Sequence, residues 1–234
     1  KLVYREIKPY PLCPITRIDT FRFRHLLNDR HPQKNVNFQS VRVYIITSEW
    51  HQKGLTLNLI THFQQFAKYN QRLNQQVYGV CSNLSQQALA EDMGAFFHSI
   101  LGTLNHILVG DLIWLNRFNA SNDYSALSKL NHFPRPKKLD TMLFDEFSEL
   151  RSNREELDQI ILDWINHDLS INHINGTLSY RNTKGESSNR NLGELISHLF
   201  NHQTHHRGQV STLLSQKGLD IGTTDYLLDI PVID

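Results

Sequence analysis

The stretch NLGELISHLFNHQTHHRGQVSTLLSQK, residues 191–217, constrains the chain more than any other. Leu192, Leu195, Ile196, Leu199, Val210, Leu213 and Leu214 recur at spacings of three and four. That spacing puts them on one face of a long helix. Asn191 stands where an N-cap belongs, Glu194 follows three residues later as in a capping box, and Gly218 stands just past the end. A helix that is apolar along one face must bury that face against other elements.

The partners it needs are also helical. From Leu57 onward, Leu59, Phe63, Phe66, Asn70, Leu73 and Val77 form a first stripe. A second helix is expected from about Leu89 to Phe118, with Met93, Phe96, Phe97, Ile100, Leu104, Ile107, Trp114, Leu115 and Phe118 inward. Asp111 falls within that stripe, so its carboxylate is either paired or at a rim. Residues 119–142 carry the breakers FPRPKK and read as a loop. A third helix is expected from about Leu143 to His167, with Phe147, Leu150, Leu157, Ile160, Ile161 and Trp164 inward. GTLSYRNTKGESSNRN then reads as a small β-hairpin turning at KG. The fold class is all-α: a four-helix bundle with a small β-hairpin before the last helix.

Residues 1–54 lack this periodicity and contain Pro9, Pro11, Pro14 and Pro32. They read as an irregular extension, either foreign to the domain of residues 55–234 or a genuine N-terminal segment. Little stable structure is expected there. Across the whole chain the net charge is +1, which offers no electrostatic case for nucleic acid. Two cysteines, Cys13 and Cys81, are too few for a disulfide framework. No apolar run approaches the roughly 18 residues of a membrane span, and no signal-peptide pattern is seen. The expectation is a cytoplasmic protein.

Histidine is in excess, with 13 in the chain and four of them at 198, 202, 205 and 206. Each helical residue turns by about 100°, which sorts the four. His206 lies about 20° from the centre of the last helix's apolar stripe and His202 about 60°. His198 lies about 100° away and His205 about 120°. His202 and His206 therefore face the core or its edge, one above the other. That spacing lets two imidazoles converge on one ion, as in many helical zinc sites, but it equally suits two hydrogen-bonded histidines at a core edge. A third ligand would come from another helix. His62, His98, His106 and His167 are all available, and stripe geometry does not choose among them.

Three segments together carry a resemblance. They are LITHFQQFAKYNQRLNQQVY, SILGTLNHILVGDLIWLNRF and ELISHLFNHQTHHRGQVSTLLSQKG, the last containing H-x-x-x-H-R-G-Q. From about Leu55 to Pro231 the chain resembles the DinB/YfiT-like superfamily of metal-binding four-helix bundles. This is the damage-inducible DinB family and not the DNA polymerase of the same name. The resemblance implies that His106, His202 and His206 hold a divalent metal ion. Zinc, nickel, iron and manganese all suit such a ligand set. It also implies metal-dependent hydrolysis, or transfer using a low-molecular-weight thiol, on a small-molecule substrate.

Three imidazoles leave at least one position for water or substrate. Asp111 and His198 are candidates for supporting the ligands from behind, although Asp111 also suits a buried structural pair with an Arg or Tyr. Gly208 is expected to allow close helix packing, and no role is assigned to Arg207 or Gln209. No separate catalytic base is evident. Two functions follow: a metal-dependent transferase or hydrolase, or a non-catalytic, stress-linked metal-binding bundle. The apolar tail DYLLDIP would cover the bundle end or a partner subunit, and a homodimer is expected.

Overall fold

The computed structural model describes residues 58–182 and 184–232. The expectation for residues 1–54 lies outside them. Four long helices form the bundle: α1 (Leu59–Cys81), α3 (Ile100–Asn122), α4 (Phe147–Asp163) and α6 (Leu192–Gln216). Two short helices, α2 (Gln86–Ala90) and α5 (Ile171–Asn175), lie in the connections. Strands β1 (Thr177–Arg181) and β2 (Ser187–Asn191) pair antiparallel, with Thr177 opposite Asn191, just before α6. α3 packs on α6, and α1 packs on both α6 and α4. The all-α bundle with its hairpin is thus the observed fold.

The helix ends follow from local chemistry. Asn58 caps α1 through a hydrogen bond from the Ile60 amide to Asn58 Oδ1 at 2.9 Å. Ser99 caps α3 in the same way, accepting from the Gly102 amide at 3.0 Å. In α6 the Glu194 amide donates to Asn191 Oδ1 at 3.0 Å. The expected return bond from the Glu194 side chain is not formed among the described residues. The Asn191 amide group instead donates to the carbonyls of Ile174 and Gly176, which ties the hairpin to the helix. At the other end Gly218 takes φ +76°. Its amide bonds to Ser215 O at 2.9 Å, and the Leu219 amide to Leu214 O at 3.0 Å. This is a Schellman closure, with the left-handed position that glycine occupies without strain.

The second helix starts later than its apolar pattern suggests. Residues 91–99 form a turn in which Gly94 and His98 both take positive φ, and α3 begins only at Ile100. Phe96, expected to face inward, is 84% exposed. The third helix begins at Phe147 rather than Leu143. It ends in a wide turn over Trp164–Asp168, where the Leu169 amide reaches Trp164 O at 3.0 Å. The tail does not cover a bundle end. It runs along α1, with Tyr226 against Phe66 at a ring separation of 4.6 Å and Arg72 paired to Asp229 at 2.5 Å. No helix among the described residues is long and apolar enough to cross a membrane.

One buried polar network crosses the core. Asp111 on α3 meets Arg154 on α4 at 2.5 Å, and Arg154 meets Asp158 one turn on at 2.8 Å. Asn74 on α1 donates to both Asp158 oxygens, at 2.9 and 3.1 Å. Arg207 on α6 donates to Asn70, to Asn74 at 3.2 Å and to Gln203 at 3.1 Å. Two buried cations are thus matched by two buried carboxylates, and every long helix contributes. Burial pushes the Asp111 carboxyl up to about 6, against the pull of Arg154. The pairing resolves the odd carboxylate of α3: Asp111 fastens helices together and makes no hydrogen bond to the histidine cluster.

Candidate metal centre

His106 projects from the second turn of α3, and His202 and His206 project from two successive turns of α6. His106 Nε2 stands 3.1 Å from His202 Nε2 and 3.2 Å from His206 Nε2. Ligand atoms of all three lie within 4.8 Å of one another. The structure therefore brings together the three histidines that the resemblance singled out. His205 is exposed and points away, its ring 4.8 Å from that of His206. His198 lies on the exposed side of α6, its ring 6.2 Å from that of His202. Its edge contact with Trp114, at 5.2 Å, makes it part of a cavity wall rather than a support behind a ligand.

The donor set fits a cation. His106 Nδ1 lies 2.7 Å from Leu139 O, and a carbonyl only accepts, so Nδ1 carries the hydrogen. His206 Nδ1 lies 2.8 Å from Gln209 Oε1, whose amide nitrogen faces His205 at 3.4 Å. In the neutral rings both Nε2 atoms are then bare lone pairs, and two bare lone pairs 3.2 Å apart repel. A divalent ion turns that repulsion into coordination. Tetrahedral zinc, at roughly 2.0–2.1 Å from each nitrogen, sets them about 3.3 Å apart, close to the observed spacing.

Burial pushes all three imidazoles below the ordinary histidine value. His202 falls furthest, to about 3, with its neighbouring imidazoles adding to the effect. Neutral imidazole is the state that binds metal. Phe97 stacks on His106 at 3.8 Å between centroids and 16° between planes, which shields that ring from solvent.

The ring-orienting partners were only partly visible in sequence. Gln209 holds the His206 ring in the tautomer that exposes Nε2, the usual task of a group behind a metal ligand. Its position three residues after His206, one turn up the same face, was the available signal. Leu139 O comes from an irregular segment 33 residues away, and no periodicity could have located it. Arg207 is not near the ring nitrogens and belongs to the buried network.

At the histidine cluster the glycine that allows close approach is Gly110, not Gly208. A Cβ at Gly110 would stand 2.6 Å from His202 Cε1, whereas one at Gly208 would meet nothing within 4 Å. Gly110→Ala is therefore expected to displace the His202 ring and weaken metal binding by roughly 10–100-fold. Gly208→Ala should leave binding intact and stabilise the helix by up to about 1 kcal/mol. Metal titration and thermal melts of the two variants check this. Equal metal affinity in both would show that Gly110 does not set the His202 position.

An open cavity of about 630 Å³ reaches the cluster, bounded by α3, the hairpin side and the Leu139 segment. His106, His202, Gly110, Trp114, Tyr180 and Leu139 are among its walls.

A family model described as DinB family matches residues 55–232. The chain belongs to the DinB family. Among curated relatives of this DinB-family chain is Protein DinB of Bacillus subtilis (strain 168), 24% identical over 159 residues. The match covers 68% of the present chain and 88% of the relative. No solved structure matches the chain significantly. The family match begins at residue 55, where the helical pattern of the DinB domain also begins.

Proposed function

We propose that the protein is a metal-dependent enzyme that acts on a small molecule through a three-histidine divalent centre, as a thiol S-transferase or a hydrolase. One observation carries the reading. Three Nε2 atoms converge, two of them fixed as bare lone pairs by Leu139 O and Gln209, and two of the three rings, His106 and His202, line a cavity large enough for a small molecule. When bound, a divalent ion supplies positive charge that can lower the pKa of a coordinated water or hold a thiol as thiolate.

The chain's own groups do the rest. His106, His202 and His206 hold the ion. Leu139 O and Gln209 fix two of the rings, and Phe97 keeps water from the His106 face. Gly110 lets the His202 ring lie against α3. Trp114 and Tyr180 give the cavity an aromatic wall. His198 and Asp140 also line it, and both can accept a proton from a reacting group. The transferase version is preferred, because family resemblance points to low-molecular-weight thiols. Zinc, nickel, iron and manganese are all chemically compatible.

Metal analysis of the purified full chain, followed by absorption spectroscopy of its cobalt-substituted form, tests the reading. The expected spectrum is that of three nitrogen ligands and an exchangeable water, and it shifts when a small thiol is added. A thiol-transfer screen with and without the metal then distinguishes transfer from hydrolysis. A centre closed by four protein ligands, indifferent to thiol, would instead support a non-catalytic metal-binding bundle.

A further inference from the structure

Arg117 lies on α3 seven residues beyond Gly110, about 10 Å along the helix axis. Its guanidinium carbon is 4.6 Å from the Trp114 ring centre and 5.0 Å from that of Tyr180. The two rings themselves meet edge to face at 5.2 Å. The cation is thus held in an aromatic slot formed by α3 and β1, and it lines the same cavity as His106 and His202. Arg72, Arg151 and Arg154 each pair with a carboxylate, and Arg207 with side-chain amides. Arg117, among the described residues, makes no hydrogen bond and no ion pair. Asp140 lines the cavity as well, but does not pair with it. Burial pushes the Arg117 guanidinium below its ordinary value, as expected of a cation that has lost water without gaining an anion.

A planar guanidinium with free N–H groups is a bidentate receptor for carboxylate or phosphate, and its contacts with the two rings hold it in place in advance. Between this receptor and the histidines the wall is formed by Ile113 and Trp114, with His198 at the Trp114 edge. Trp114 lies one helical turn from Gly110, and Phe96 and Leu139 form part of the lining. We infer that the cavity takes a small molecule with a compact oxyanion at one end. Arg117 binds that end between Trp114 and Tyr180, and the molecule's other end reaches His202. The inference rests on reading this cavity as the substrate chamber of the three-histidine centre.

The test uses the full chain in metal-free form and three probes of similar shape: 3-phenylpropionate, 2-phenylethylphosphonate and the neutral 3-phenylpropanamide. Binding is followed by NMR shifts of the indole N–H signals and by calorimetry. At least one acid should bind about tenfold tighter than the amide, and the tighter acid identifies the oxyanion. Arg117→Gln should bring acid and amide to equal affinity, and Arg117→Lys should restore part of the difference. Equal binding of acids and amide by the unsubstituted protein overturns the inference. So does the absence of any shift with either acid at millimolar concentration. An undiminished preference in a folded Arg117→Gln does the same. If that variant does not fold, the comparison in the unsubstituted protein decides alone. Metal uptake is measured separately, so a protein that takes no metal sinks the three-histidine reading without altering the score of the Arg117 slot.

Discussion

His202→Ala is expected to lower affinity for a divalent ion by more than the roughly 10–100-fold that loss of an outer hydrogen-bond partner costs. His106→Ala and His206→Ala should do the same. Each removes one of three nitrogens whose spacing suits a single ion, and the remaining pair lacks the geometry to replace it. His205→Ala is the matched control, because its exposed ring lies on the same helix and points away from the cluster. His198→Ala should also retain the metal, since that ring is a cavity wall. Metal content after dialysis against a weak chelator, measured for all five variants, checks the set. Loss of metal in His205→Ala together with retention in His202→Ala would overturn the assignment.

The second large effect concerns stability. Arg154→Ala leaves the Asp111 and Asp158 carboxylates buried without the cation that both of them meet. Removing one partner of a buried pair costs about 3–5 kcal/mol, because the remaining charge has no water to turn to. In a protein of this size each kcal/mol shifts the melting temperature by about 2–4 °C, so a drop on the order of 10 °C is expected. Arg151→Ala, three residues away, breaks the exposed pair with Glu155 and an exposed hydrogen bond to Ser82 Oγ, and should cost about 1 kcal/mol or less. Thermal and urea denaturation of both variants make the comparison. If the two melt alike, the buried network does not fasten the bundle.

Particular residues show why some features were legible in the sequence and others were not. α1 and α6 could be read because each packs one face, and α6 also carries its own caps, Asn191 and Gly218. The start of α3 was misread because Met93, Phe96 and Phe97 continue a helical spacing. The positive φ of Gly94 and His98, with the Ser99 cap, ends that continuity. Stripe geometry could not select His106 because α3 is buried over nearly its whole circumference from Ile100 to Leu112. In such a helix the angle from an apolar stripe no longer separates inside from outside. Family resemblance singled out His106 where periodicity could not. Asp111 was visibly anomalous, but its partner Arg154 lies 43 residues away on another helix and only the tertiary fold supplies it. Arg117 has an ordinary place in the sequence, and its aromatic slot forms only when β1 brings Tyr180 beside Trp114.

His106 and His202 are 96 residues apart in the chain and meet only in the folded bundle. An ion that needs both therefore binds the native state far better than the unfolded one, where only the His202–His206 pair stays close. Such selective binding would make the proposed ion a thermodynamic cross-link. At a free-ion concentration 1,000 times the dissociation constant it adds about 4 kcal/mol to unfolding. With the ion bound as proposed, metal starvation and heat would be two routes to the same loss of structure, and the free-ion level would shift the melting temperature.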